Sequence, residues 1–330
     1  MAHITLNKKN FFHNLDAIAA KTQSIKKIAI VLKDNAYGHG LLEVAKMAQE
    51  YGITKAVVQY ESEAREIYEY FEYILVLADI PKNADKKIRY TINDINTIKE
   101  FPKDTLVELK VNTGMNRNGI EISEKESALT LIKTQGLSLE ALFTHYACAD
   151  ELDGVYEMQK ERFSEIKATM PQGLHFHSCN SAGLFRELLF DEDMVRVGIA
   201  AYGCMELPTE IEAPKLKPVL SLYAEKISSR TLKKGESVGY GATFCADEEM
   251  IVSNYDIGYG DGFMRILSND YSTPEGVKLL GRISMDNSSF ASNAEQLLIF
   301  DDAKKLSNAA QTISYEILTS LKSNLKRSIV

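Results

Sequence analysis

The chain has 330 residues, 45% hydrophobic and 25% charged, with a formal net charge of −8 and four cysteines. These values fit a folded globular protein of about two domains and exclude a disordered or collagen-like chain. An acidic chain without a basic block is a poor partner for nucleic acid or an anionic membrane. No run of about 18 apolar residues is present to span a bilayer.

The opening segment Met1–Asn10 has no apolar core of the ~7–15 residues that an export signal needs, so a cytoplasmic protein is expected. No CxxC pair exists among Cys148, Cys179, Cys204 and Cys245, which leaves reduced thiols as the expectation.

Phe12, Leu15 and Ile18 mark a helix ahead of the first strand. Short apolar runs then recur at Ile28–Leu32, Ala56–Val58, Tyr73–Leu77, Ile88–Thr91, Leu106–Val111, Leu139–His145, Leu174–His177 and Met194–Ile199. Amphipathic stretches lie between most of them. One carries Leu41, Val44, Ala45 and Ala48, another Ala128 and Ile132 behind a capping box at Ser123 and Glu126, a third Met158, Phe163 and Ile166. Nearly continuous apolar strands separated by helices predict parallel βα units, and eight of them in about 200 residues predict a (β/α)8 barrel. The second and fourth strands are short, so a doubly wound open sheet is the alternative.

After about Pro218 the texture changes. Leu220–Ala224, Ser237–Tyr240, Ile251–Ile257, Val277–Arg282 and Gln296–Phe300 are short strand-like runs separated by turn signals, and Ser314–Lys326 reads as a closing helix. The expected division is a barrel over residues 1–217 and a mostly β domain over 218–330.

The segment Lys33-Asp-Asn-Ala-Tyr-Gly-His-Gly40 follows the first barrel strand at its carboxyl end, where barrel enzymes place their active sites. A lysine there is either a rim residue reaching solvent or a Schiff-base lysine in a semi-buried site. Arg196 stands alone in the apolar strand Met194–Ile199. Asn180 and Ser181 open a helix after the seventh strand, and Gly198 and Ile199 end the eighth. Hydroxyl and backbone N–H groups in those two places suit a phosphate, although Asn180 also reads as an ordinary helix cap.

The Lys33–Gly40 segment resembles the pyridoxal phosphate attachment site of the alanine racemase family. The resemblance continues in order through Leu109-Lys-Val-Asn-Thr-Gly-Met-Asn-Arg117, Phe143-Thr-His-Tyr-Ala147, His177-Ser-Cys-Asn-Ser-Ala182 and Met194–Gly203. It extends into Val238-Gly-Tyr-Gly-Ala-Thr-Phe244, Ile257-Gly-Tyr-Gly-Asp-Gly262 and Gly281-Arg-Ile-Ser-Met-Asp286. It implies pyridoxal 5'-phosphate on Lys33, its phosphate held by Tyr37, Ser181, Asn180, Gly198, Ile199 and Tyr315. Arg196 would face the pyridine nitrogen. Because arginine keeps its proton, that nitrogen would stay unprotonated and the ring would be a weaker electron sink than with a carboxylate partner.

The resemblance further implies two proton-transfer residues, Lys33 and Tyr240. An ordinary tyrosine, with a pKa of about 10, is a poor base at neutral pH, and His145 with Arg196 would form its hydrogen-bonded relay. Lys110 matches a lysine that becomes a carbamate and steadies Arg117 against the substrate carboxylate. An unmodified lysine paired with a carboxylate such as Asp286 is the plain alternative. Tyr259 and Met285 match second-domain residues that reach the partner's site in a head-to-tail homodimer. The implied activity is interconversion of L-alanine and D-alanine, supplying D-alanine for peptidoglycan, with no metal, nucleic acid or membrane partner.

Several positions depart from the family pattern. Asp34 follows the lysine where a small residue is usual, and Asn112 stands for an aspartate. Asn118 replaces an apolar residue, and the chain ends Leu321–Val330 without the usual arginine-bearing tail. Three rivals remain open: a racemase of broader specificity, a non-catalytic pyridoxal phosphate carrier and a metal-assisted aldolase. Such a carrier lacks a second domain, which Val238-Gly-Tyr-Gly241 argues against, and the aldolase would need a metal-ligand cluster that is not apparent in the second domain.

Overall fold

The computed structural model describes residues 1–330. Two compact units form, and neither is one stretch of chain: the first comprises Phe12–Ala36 and Val44–Leu216, the second Met1–Phe11, Tyr37–Glu43 and Lys217–Val330. For the amino-terminal segment the cause is β1 (His3–Leu6), which the sequence pattern does not single out. It pairs antiparallel with Leu220–Tyr223 and parallel with Lys326–Ile329, so the amino terminus belongs to the second unit's sheet.

The first unit is a barrel. Its strands are β2 (Ile28–Val31), β3 (Lys55–Val58), β4 (Tyr73–Val76), β5 (Ile88–Ile92), β6 (Leu106–Lys110), β7 (Ser138–Phe143), β8 (His175–His177) and β9 (Val195–Val197). They pair in the order β8-β7-β6-β5-β4-β3-β2-β9, every pair parallel. Backbone bonds from Asp193 N–H to Phe176 O (3.2 Å) and from Arg196 N–H to Cys179 O (3.1 Å) cross the seam between β8 and β9. All eight expected strands form and these two bonds bring the sheet nearly to closure, which removes the open-sheet alternative. Strands buried on both faces explain the unbroken apolar runs: all four residues of β2 are buried, and each large side chain so buried contributes about 1.5–3 kcal/mol.

Connections differ from the expected rhythm in three places, the first being β4–β5, which carries no helix at all. The β5–β6 connection carries only a six-residue 3-10 turn, Ile95–Glu100, instead of a full helix. The helix Lys125–Gln135 is preceded by a 3-10 turn, Ile122–Glu124, so the first unsatisfied amides fall earlier than expected. The reciprocal cap therefore lies at Glu121 and Glu124, whose carboxylate accepts Glu121 N–H at 2.9 Å, and not at Ser123 and Glu126.

The second unit is mostly β. Its long strand β10 (Leu220–Leu232) pairs with β1, Met250–Tyr255 and Gln296–Phe300. The closing helix is shorter than its sequence pattern, Ser314–Ser320, because Lys326–Ile329 is drawn into the sheet beside β1.

Candidate active site

Lys33 leaves the carboxyl end of β2 with its side chain about one-third exposed and its amine 3.9 Å from Asp34 Oδ2. The sequence suggests an ordinary glycine-containing loop after it. Instead Asp34, Asn35, Ala36 and Tyr37 all have positive φ, 54°, 55°, 52° and 52°, forming a left-handed turn without glycine. Such a backbone costs roughly 1–2 kcal/mol per residue and persists only where its surroundings over-determine it.

The restraints are visible. Asp34 N–H donates to Glu63 Oε1 (2.8 Å) and Ala36 N–H to Leu32 O (2.8 Å). At the far end, a Cβ on Gly38 would sit 1.9 Å from Leu318 O, which admits only glycine. The carboxyl-terminal tail does supply an arginine here: Arg327 Nε and Nη2 both donate to Gly38 O, at 3.0 and 2.9 Å. The turn ends by placing the Tyr37 ring 5.7 Å from that of Tyr315, so the two expected phosphate-contacting phenols come together within the second unit.

A group of cations occupies the carboxyl ends of the barrel strands. Lys110 ends β6, buried, and burial followed by the charges of Arg196, Arg117 and Lys33 lowers its pKa to about 8. Every charge acting on it is positive, which is the opposite of the ordinary carboxylate-paired lysine. Arg117 is exposed, on a loop whose organiser is Asn112. Asn112 Oδ1 accepts Gly114 N–H (3.1 Å) and Asn116 N–H (3.0 Å), while its Nδ2 donates to Glu121 Oε1 (2.9 Å). An aspartate could not donate to Glu121, so this departure from the family pattern has a local physical reason.

Arg196, on β9, is buried, and its four terminal N–H groups meet only strand-end acceptors. Nη2 donates to Thr144 O (2.7 Å) and Ser178 O (3.0 Å) and lies 3.3 Å from His145 Nδ1. Nη1 reaches His177 Nδ1 and, at 3.2 Å, His177 O. The expected contact between His145 and Arg196 is therefore present. Burial first, then the charges of Arg196, Lys110, Arg117 and Lys33, hold His145 well below the usual histidine range, so its ring is neutral.

Ser181 opens the helix Ser181–Arg186, and its Oγ accepts the amides of Gly198 and Ala200, each at 3.3 Å, with Ile199 between them. The two expected loops do converge. Asn180 is a cap: its Oδ1 accepts Gly183 N–H at 2.8 Å.

In the second unit Tyr240 begins a 3-10 turn, Tyr240–Ala242, and is 69% exposed. Tyr259 and Met285 are exposed too, and the bonds from Tyr259 N–H to Ser284 O (3.0 Å) and Gly260 N–H to Met285 O (2.7 Å) bring them side by side.

Sequence reasoning missed Glu108 and His177. His177 alternates with His175 along β8, yet it is buried against Arg196 while His175 is exposed. The overlooked signal was Glu108, a lone carboxylate in an apolar strand, complementary to the lone Arg196.

A nearly closed parallel barrel with a strand-end lysine and a buried cationic cluster, in one chain with a mostly β unit, defines a two-domain barrel enzyme. Residues 6–206 match the family model "Alanine racemase, N-terminal domain", and residues 219–329 match "Alanine racemase, C-terminal domain". The chain is similar to an alanine racemase of Campylobacter curvus (strain 525.92), 42% identical over 341 residues with 100% of each chain covered. Among solved structures it is similar to alanine racemase from E. faecalis, with a TM-score of 0.90, 26% identity, and 100% of this chain and 98% of that chain covered. It is also similar to a histidine racemase from Leuconostoc mesenteroides subsp. sake NBRC 102480, with a TM-score of 0.88, 25% identity, and 100% and 98% covered. The chain is an isomerase, and it belongs to the alanine racemase family.

Proposed function

We propose that this chain interconverts L-alanine and D-alanine with pyridoxal 5'-phosphate held on Lys33, as a homodimer whose second domain (218–330) completes the active site in the partner's barrel (1–217). The observation that carries this reading is Arg196. Protein acceptors face its four terminal N–H groups, which leaves its Nε–H to a ligand acceptor such as an unprotonated pyridine nitrogen. The donor set suits the rest of the cofactor: Lys33 for its aldehyde, and Ser181 Oγ, the Gly198–Ala200 amides, Asn180 and the Tyr37 and Tyr315 phenols for its phosphate. When bound, pyridoxal phosphate supplies an electron sink that acidifies the α-hydrogen of an amino acid.

The chain's own residues then divide the proton transfers. Lys33 would serve one face of the α-carbon with its amine, and the partner subunit's Tyr240 would serve the other. His145 supports that tyrosine in a defined direction. Its Nδ1 faces the N–H-bearing Nη2 of Arg196, so its ring proton sits on Nε2 and is donated outward. A donor directed at a phenol oxygen favours the phenolate, the form that accepts a proton. Arg117 takes the substrate carboxylate, and Tyr259 and Met285 of the partner bound its side chain. D-alanine made in the cytoplasm in this way would serve peptidoglycan assembly.

The similarity to a histidine racemase supports a second reading, broader substrate choice on the same proton-transfer pair. Measuring enantiomer conversion of alanine, serine and histidine separates the two. We expect kcat/KM for alanine to exceed the others by at least about tenfold, a gap that one well-fitted small pocket can supply. Equal values would favour the broad enzyme, and no conversion of any would refute both.

Lys110 is proposed to carry a carbamate, formed when its neutral amine attacks carbon dioxide and releases one proton. At a pKa of about 8 roughly half the amine is neutral at pH 8, against roughly 0.4% for an ordinary lysine. Formation therefore rises with pH through about 8 and falls below it. With 13C-bicarbonate at pH 8, a carbamate carbon resonance is expected that Lys110→Ala abolishes. Its absence at saturating bicarbonate would leave Lys110 an unmodified amine.

A further inference from the structure

The geometry points to Glu108 as a positioning residue that acts through His177 on Arg196, an inference that rests on Arg196 facing the cofactor ring. A guanidinium has donors only. Because Arg196 Nη1 meets His177 Nδ1, that nitrogen must be the bare one, and the ring proton must lie on Nε2. Nε2 is 2.8 Å from Glu108 Oε2, so it donates to the carboxylate. The other carboxylate oxygen accepts the Tyr73 hydroxyl. The Phe143 ring stacks on the imidazole at 4.7 Å and 13°, which fixes the plane of the imidazole.

Glu108, His177 and Arg196 are 1%, 1% and 6% exposed, so bulk solvent does not screen these bonds. The row is an anion, a neutral ring and a cation. Burial alone would raise the Glu108 carboxyl, and His177, Tyr73 and Arg196 outweigh it, so the group stays ionised. The other buried carboxylate nearby, Glu192, is committed elsewhere: it takes the Ser178 and Cys179 amides and the Ser178 hydroxyl. Glu108 is therefore the anion hydrogen-bonded in line with Arg196. It fixes one tautomer of His177, and that tautomer fixes the guanidinium about Nη1. It also offsets part of a positive charge that already shares the site with Lys33, Lys110 and Arg117.

The test has two arms on the purified full chain. In the first, 15N-histidine NMR of the cofactor-free protein is expected to show His177 neutral, protonated at Nε2, and unchanged from pH 6 to 9. A doubly protonated ring, or a proton on Nδ1, overturns the inference whether or not the cofactor assignment is right. In the second, Glu108→Gln keeps the shape and, with its amide oxygen toward Nε2, the bond from His177; its amide N–H donates to the Tyr73 oxygen, reversing that bond, and the charge is removed. With cofactor bound, it is expected to lower kcat about tenfold or more while KM for alanine changes less than about twofold, as loss of an outer-shell partner does. The pH profile of the cofactor's visible absorbance should shift as well, and Glu108→Asp should recover part of kcat. An unchanged kcat and absorbance profile in a variant that binds cofactor normally would overturn the inference while leaving the Arg196 reading intact.

Discussion

Lys33→Ala is expected to lose racemisation by at least about 10⁴-fold and to lose the visible absorbance of lysine-bound pyridoxal phosphate. Two functions disappear together. One is the covalent tether, and the other is a proton-transfer group, which alone is worth about 10²–10⁴-fold. The side chain has room for both roles, since it is about one-third exposed and its near neighbour Asp34 lies at 3.9 Å. Borohydride reduction of the wild-type protein followed by peptide mass spectrometry should find the pyridoxyl group on Lys33. An adduct on another lysine, or a visible band that survives in Lys33→Ala, would remove Lys33 from the centre of the mechanism. The left-handed turn after Lys33 makes a neighbouring lysine a poor substitute, because the strained backbone sets where the side chain starts.

Tyr240→Phe tests the opposite face, and the expected result is a split between exchange and racemisation. Removing one acid–base group should cost about 10²–10⁴-fold in racemisation. The variant keeps Lys33, which by the family's assignment handles D-alanine. D-alanine should still exchange its α-hydrogen with deuterated solvent while L-alanine does not. Equal loss of exchange from both enantiomers, with cofactor bound, would mean that Tyr240 orients substrate and that one base does all the work. The same variant probes the shared site. Tyr240 is 69% exposed on its own chain, a wasteful place for a proton-transfer group unless another surface covers it. Mixing Lys33→Ala with Tyr240→Phe chains should restore part of the activity, because one site in each mixed dimer then has both native groups. A mixture that stays inactive after demonstrated subunit exchange would reject sharing.

The family and the eight barrel strands were legible in the residues themselves. Strands buried on both faces must be apolar throughout, and that leaves a mark any reader of β2 can see. Arg196 was legible for the complementary reason, since a charge inside an apolar strand has to be explained, and Lys33 because it stands at a barrel strand's carboxyl end. The assignment of β1 was not, because His3–Leu6 is four ordinary residues whose partners lie more than 200 positions away. Nor was the left-handed turn, since Asp34 and Asn35 tolerate it but Ala36 and Tyr37 carry no local preference for it. Restraints from Glu63, Leu318 and Arg327 impose it. His177 and Glu108 are the clearest case. Glu108 is a carboxylate in an apolar strand, but nothing local pairs it with His177, 69 residues away in sequence. Local propensity and motif order therefore determined the barrel, the family and the lysine. Only closure of the barrel, which sets β6, β8 and β9 around one buried space, decided that a glutamate, a histidine and an arginine would share two protons in a single row.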